Sequence, residues 1–156
     1  MDKKIEETGC TDREVLRISF QQILFLADET QKVFPVEACG VLFGRRLSEE
    51  ETKVERIVMI PNALNSTTEF RVDPETLAAV FAANEKDGLK HIGFFHSHPY
   101  PYHSLPLAED IEYMKLWSKA ETVWLILSTI KYEGLSAFKM KKGNLEKVIL
   151  NIYKEP

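Results

Sequence analysis

The sequence is poor in cysteine, in long apolar segments and in excess positive charge. Its two cysteines, Cys10 and Cys39, form no C-x-x-C pair, which argues against a disulfide scaffold and a thiolate zinc site and favours a reducing compartment. No apolar run approaches the roughly 20 residues that span a bilayer, and the polar first residues do not resemble a signal peptide. A net charge of −4 provides no basic face for nucleic acid. We therefore expect a cytoplasmic protein without membrane or nucleic-acid partners.

The remaining composition is that of an ordinary globular domain. The chain has 156 residues, of which 44% are hydrophobic and 28% are charged, a mixture typical of globular proteins. No internal repeat or low-complexity linker divides it. We predict a disordered N-terminus over residues 1–11 and one domain over residues 12–153.

Hydrophobic spacing and turn residues predict a mixed order of helices and strands. The segment 11–14 is typical of a capping box, and apolar residues follow at helical spacing, so a helix is predicted over 12–33, ending before Pro35. Asp73-Pro74 predicts the start of a second helix, and Pro106 that of a third. Strands are predicted at 39–46, 52–60, 91–98, 122–129, 134–140 and 146–153. This order favours an α+β fold with one central mixed sheet flanked by helices.

The segment Gly93-Phe94-Phe95-His96-Ser97-His98-Pro99 suggests a metal site. In a strand, residues i and i+2 share a face, so His96 and His98 can converge on one ion. Asp110 is the candidate third ligand, and a carboxylate near the start of the third predicted helix also meets the positive end of the helix dipole. Two imidazoles and one carboxylate leave the fourth position of a tetrahedral Zn²⁺ open, as in catalytic zinc sites.

Glu37 is the candidate general base. It follows Pro35 at the entry to the first predicted strand, where apolar and small neighbours would form a partly dry cleft that raises the pKa of its carboxyl. Spacing alone does not bring Glu37 to the metal. Each part of this pattern, taken singly, is also compatible with an ordinary structural residue.

Together the motifs resemble the JAMM (MPN+) zinc metalloprotease family. Its pattern is a glutamate before a Gly-x-x-x-Gly strand, then His-Ser/Thr-His-Pro, then Pro-Ser-x-x-Asp. The matching residues are Glu37, Gly40, Gly44, the segment 96–99 and the segment 106–110. Residues 61–62 and 70–74 also resemble the intervening segment of prokaryotic members, and the similarity spans about residues 12–150.

The resemblance implies a fold, a reaction and partners. The fold would be a cytidine-deaminase-like JAB/MPN domain, with Zn²⁺ held by His96, His98 and Asp110 and with Glu37 as general acid and base. JAMM enzymes, which include the proteasome-lid deubiquitinase, cleave isopeptide or peptide bonds after the C-terminal glycine of ubiquitin or ubiquitin-like proteins. The expected partners are conjugates of such a modifier; another MPN domain or a second copy of the chain is a further expected partner.

The sequence departs from the family pattern at two positions, and one of them is the candidate third metal ligand. One inserted residue puts Glu109 at the usual distance from His98, and Asp110 one place later. Alignment on Pro106 and on the apolar residue after the ligand favours Asp110 over Glu109.

The second departure from the family pattern concerns the serine of the Pro-Ser-x-x-Asp motif, to which the family resemblance assigns stabilisation of the oxyanion. That serine falls at Leu107, which has no hydroxyl to donate. Ser104 lies beside the insertion and is the candidate replacement, in an oxyanion or supporting role.

Three alternative functions remain open. The same site would serve a hydrolase that processes the C-terminus of a sulfur-carrier protein, and substrate assays or genomic neighbours would separate the two. A non-catalytic MPN scaffold usually loses the ligands, which are all present here, and only Leu107 favours it. A relative of bacterial DNA-repair-associated proteins would share the His-x-His-Pro core, but the residues after Pro99 do not match the glycine-rich loop of those proteins.

Overall fold

The computed structural model describes residues 13–99, 104–117, 121–128 and 134–156, so the predicted disordered segment 1–11 lies outside the described residues. Within these ranges the elements are β1 (Val15–Ser19), α1 (Phe20–Val33), β2 (Cys39–Arg46), β3 (Glu51–Ile60), α2 (Pro74–Lys86), β4 (Lys90–His98), α3 (Ala108–Leu116), β5 (Val123–Ser128), β6 (Leu135–Lys141) and β7 (Asn144–Tyr153). The α+β class is confirmed. None of these helices is long and apolar enough to cross a membrane.

The strands form one mixed sheet that closes into a barrel in the order β1-β3-β2-β4-β5-β6-β7. β1 closes it, because this strand pairs in parallel with β3 on one side and with β7 on the other. β4 and β5 are also parallel, and the remaining pairs are antiparallel. The predicted mixed sheet is therefore confirmed, and its closure is an additional feature.

The prediction of one helix over residues 12–33 is wrong at its N-terminal end. Residues Val15–Ser19 are a strand, in which Leu16 and Ile18 are buried, and α1 begins only at Phe20. The capping box is formed by Ser19 and Gln22: the Gln22 amide donates to Ser19 Oγ at 3.0 Å, and the Ser19 amide donates to Gln22 Oε1 at 2.9 Å. Strand pairing on both sides of β1 outweighs the helical spacing of its apolar residues.

Two apolar clusters lie on opposite faces of the strands. One contains Phe94 and Trp124 and is covered by residues of α2 and α3; the other contains Phe95 and Leu125 and is covered by α1. Successive residues of a strand alternate between faces, so His96 and His98 share the face of Phe94. The second and third helices therefore cover the face on which the candidate ligands lie.

Candidate active site

Strands β2, β4 and β5 bring the candidate residues to one end of the sheet. His96 pairs with Cys39 of β2, and His98 pairs with Ser128 of β5. Directly paired residues project from the same face of a sheet, as do residues two apart along one strand. Glu37 lies two residues before Cys39, and its neighbour Ala38 is hydrogen-bonded to Ser97, so the segment that carries Glu37 runs beside the end of β4.

Three of the predicted site residues form a compact buried cluster. The Nε2 atoms of His96 and His98 are 3.2 Å apart, and the Asp110 oxygens lie 3.2 Å from the former and 2.9 Å from the latter. Two ligand atoms, each about 2.1 Å from a tetrahedral Zn²⁺, would lie about 3.4 Å apart. The chemistry and spacing of these three side chains therefore fit a zinc ion.

The N-terminus of α3 orients the carboxylate of the cluster. The Leu107 amide donates to Asp110 Oδ2 at 2.8 Å. Burial by itself would raise the pKa of Asp110, but the hydrogen bonds from His96 and His98 outweigh burial and hold this pKa well below its ordinary value. Glu109, the competing candidate, is exposed. The structure thus brings Asp110, and not its neighbour, to the histidines.

An aromatic ring supports the first histidine. Phe70, in the segment between β3 and α2, stacks on His96 with ring centroids 4.5 Å apart and an interplanar angle of 24°. Burial lowers the pKa of His96, against the opposing influence of Asp110. The neutral imidazole, which is the form that ligates metals, is thereby favoured. This contact of Phe70 was not predicted from the sequence, although Phe70 lies in the segment that resembles prokaryotic relatives.

Glu37 is fully buried, and neither carboxylate oxygen has a hydrogen-bond partner within the described residues. Burial, with smaller contributions from the negative charges of Asp110, Glu69 and Glu109, raises the pKa of Glu37 to about 9. Buried polar groups are normally hydrogen-bonded, and unpaired ones with perturbed pKa values are concentrated at functional sites. This environment suits a group that exchanges a proton with a substrate.

Ser97 connects the strand of the ligands to the segment of Glu37. The Ala38 amide donates to Ser97 Oγ at 2.8 Å, and the Ser97 amide donates to the Ala38 carbonyl at 3.0 Å. These two bonds hold Ala38, which follows Glu37, against Ser97, which lies between the two histidines. This role of Ser97 was not predicted from the sequence, because the only available signal was a hydroxyl on the face of the strand opposite to the histidines.

Three buried hydroxyl groups, those of Ser104, Ser128 and Ser136, lie on or near the face of the candidate metal cluster. Ser104 Oγ is 2.7 Å from Ser136 Oγ, and Ser136 lies two strands from His96 in the same cross-strand row. Ser128 Oγ, beside His98, is buried without a hydrogen-bond partner in the part of the chain that the structure describes. Leu107 directly precedes α3 and offers no side-chain hydrogen bond to this helix.

Comparison with known proteins supports a relationship over most of the chain. Residues 21–141 match the family model described as prokaryotic homologs of the JAB domain. Desampylase of Pyrococcus furiosus is 38% identical over 93 residues, 60% of each chain. A probable TtuB-protein conjugate cleaving protease of Thermus thermophilus is 32% identical over 110 residues, 70% of this chain and 65% of that protein. The matches thus span less than two thirds of either relative.

A solved structure shows the same fold. The solution structure of a protein from Desulfitobacterium hafniense superposes with a TM-score of 0.76 at 26% identity, and the superposition covers 90% of this chain and 94% of that one. The similarity therefore extends well beyond the segments that carry the candidate site.

Proposed function

Because the chain belongs to the prokaryotic JAB-domain family, we propose that it is a zinc-dependent isopeptidase or peptidase that cleaves after the C-terminal glycine of a ubiquitin-like modifier. One observation carries the proposal: a buried cluster of His96, His98 and Asp110 with ligand spacing lies close enough to the buried Glu37 for the charge of Asp110 to raise the pKa of Glu37, whose carboxylate has no hydrogen-bond partner among the described residues. The name of the Thermus relative describes cleavage of protein conjugates, and this supports a conjugate as the substrate.

The proposed ligands are His96 and His98 through their Nε2 atoms and Asp110 through its carboxylate. When bound, Zn²⁺ supplies Lewis-acid polarisation of the scissile carbonyl and lowers the pKa of water from about 16 to about 7. The neutral state of His96 and the ionised state of Asp110 suit this binding.

Glu37 would act as general base and then as general acid. Its carboxylate accepts a proton from the attacking water and delivers that proton to the leaving amine. Without metal, burial and the charge of Asp110 keep the carboxyl protonated. A divalent cation at the cluster offsets the negative charge of Asp110, so Glu37 would reach its basic form at a lower pH.

Ser104 is the proposed oxyanion donor. A hydroxyl can accept one hydrogen bond while it donates another, so Ser136 can donate to Ser104 Oγ and leave the Ser104 proton for the substrate. This arrangement would replace the hydroxyl that the chain lacks at Leu107.

The decisive experiment measures zinc and activity on the same sample. Zinc is quantified by mass spectrometry, and cleavage is followed with ubiquitin-like and sulfur-carrier proteins fused through a C-terminal Gly-Gly to a reporter. We expect about one zinc per chain and release of the reporter, with release lost on chelation. Glu37→Gln should retain the metal and lose at least about 10²-fold in rate.

The outcomes separate the proposal from its alternatives. Release of the sulfur carrier alone would assign the chain to sulfur-carrier processing through the same site. Stoichiometric zinc without cleavage of either fusion would argue for a scaffold or for a different substrate. A protein that takes up no zinc would refute the metalloprotease proposal.

A further inference from the structure

The side chain of Asn62, two residues after the end of β3, is a hydrogen-bond hub for the main chain around it. Its Nδ2 donates to the carbonyl oxygens of Glu37 at 3.2 Å, Glu69 at 2.9 Å and Ser66 at 3.4 Å. Its Oδ1 accepts from the amides of Leu64 at 3.0 Å and Arg71 at 3.2 Å. The three carbonyl oxygens share the two N–H groups of Nδ2, and only a carboxamide side chain offers two N–H donors and an accepting oxygen together.

The hub holds Glu37 by its main chain. Asn62 binds the Glu37 carbonyl, and the Ser66 carbonyl accepts the Glu37 amide at 2.9 Å. The carboxylate itself has no hydrogen-bond partner in the described ranges. Its position therefore depends on the bonds that fix its peptide groups and those of its neighbour Ala38.

The hub also reaches the metal cluster. Glu69 and Arg71, both bonded to Asn62, bracket Phe70, whose ring stacks on His96. The side chain of Asn62 thus fixes the main chain on both sides of Phe70. It also fixes the main chain of Glu37, the proposed base. A misplacement of about 1 Å in a reacting group can cost about 10²-fold in rate.

We infer that Asn62 is a positioning residue for the general base: it aligns Glu37 through main-chain hydrogen bonds, and it acts on the reaction through Glu37. This inference rests on the proposed function. The most informative variant is Asn62→Asp, which keeps the shape and the accepting oxygen toward Leu64 and Arg71 but removes the donors to Glu37, Ser66 and Glu69. Asn62→Ala removes both the Nδ2 donors and the Oδ1 acceptor.

The first readout does not require activity. Amide hydrogen exchange, followed by NMR on the metal-free protein, should become at least about tenfold faster at Glu37 in both variants. The Ala38 amide, which donates to Ser97 Oγ, serves as the internal reference and should keep its rate. Unchanged exchange at Glu37 in both variants would overturn the inference, whatever the enzyme does to a substrate.

The second readout uses the zinc-loaded protein and its best fusion substrate. We expect kcat to fall by about 10–10², with KM within about threefold and zinc still at one per chain. The same changes at Asn151, which is exposed on β7, provide matched controls. The inference that Asn62 acts through Glu37 would be overturned if kcat stayed within threefold of the wild-type value. A fall in kcat in proportion to lost zinc would also overturn it. A wild-type protein that binds zinc but cleaves nothing would refute the proposed function. Amide hydrogen exchange would still test whether Asn62 fixes the main chain of Glu37.

Discussion

At the residue scale, Glu37 shows how a group suited to chemistry can weaken the fold that contains it. Its carboxyl is fully buried, and neither oxygen is hydrogen-bonded within the described residues. An unpaired buried polar group costs about 1–3 kcal/mol, and an ionised one costs more. Such a residue contributes little to folding by its side chain, so its presence is best explained by the proposed reaction.

Replacing Glu37 by Gln should therefore stabilise the metal-free protein at alkaline pH. Folding raises the pKa of Glu37 from 4.5 to about 9, so between these values the native state keeps a proton that the unfolded state releases. Stability then falls by up to about 1.4 kcal/mol per pH unit from this group, and the amide removes that slope. Urea unfolding of both chelated proteins at several pH values measures the difference. Parallel pH profiles would show that Glu37 does not titrate as described.

The third ligand gives a second prediction. Asp110→Asn should weaken zinc binding by at least about 10²-fold, because the amide is neutral and Asp110 contacts both histidines. Glu109→Gln is the matched control, because it makes the same chemical change at the adjacent exposed position, and should keep the affinity within about threefold. Competition with a chromophoric chelator measures both. An equal loss in the two variants would contradict the assignment of Asp110.

The proposed oxyanion donor, Ser104, gives a third prediction. Ser104→Ala should lower kcat by about 10²–10³ with little change in KM, because one oxyanion donor contributes on that order. Ser128→Ala removes a buried hydroxyl beside His98 and should change kcat less than about threefold. If only the Ser128 variant loses activity, the oxyanion role passes from Ser104 to Ser128.

At the scale of elements, the boundary between β1 and α1 follows from two competing patterns. Leu16 and Ile18 fit the alternation of a strand, whereas Leu16, Phe20 and Ile23 also fit the spacing of a helix. The strand forms because β1 pairs with β3 and β7. Ser19 then caps the helix where the strand ends.

The position of Ser19 at the N-terminus of α1 gives a fourth prediction. Ser19→Ala should destabilise the protein by about 1 kcal/mol, because it removes the hydroxyl that accepts from the Gln22 amide. Ser48→Ala, at an exposed turn, is the control and should change stability by less than about 0.5 kcal/mol. Chemical denaturation of the three proteins under one condition provides the comparison. An equal effect of the two substitutions would contradict the position of the cap.

At the scale of the whole molecule, the proposed metal would join two elements of the fold. β4 provides His96 and His98, and α3 provides Asp110. An ion bound by both elements stabilises the native state because a preformed site rarely exists in the unfolded chain. Family membership and fold are established by the match over residues 21–141 and by the structural superposition; cytoplasmic location and pairing with a second MPN domain stay predictions.

Zinc should accordingly raise the thermal midpoint of unfolding. At a free concentration about 100 times the dissociation constant, the gain is about 2.7 kcal/mol, or roughly 5–10 °C for a chain of this length. Differential scanning fluorimetry of the chelated and zinc-loaded protein measures the shift. Asp110→Asn should lose most of it at the same zinc concentration. A shift of equal size in this variant would place the stabilising ion elsewhere.

Features that depend on local spacing were predictable from the sequence. Two histidines at i and i+2 of a strand share a face. Asp73-Pro74 is typical of a helix start, because the aspartate can cap the helix and proline suits its first position. Other features depend on tertiary structure: β1 as a strand, the closed sheet, and the hydrogen bonds of Ser97 and Asn62. Ser97 and Ala38 are 59 residues apart in the chain, and Asn62 and Glu37 are 25 apart. No local pattern specifies such bonds, because each depends on how neighbouring strands and loops bring distant main-chain groups together.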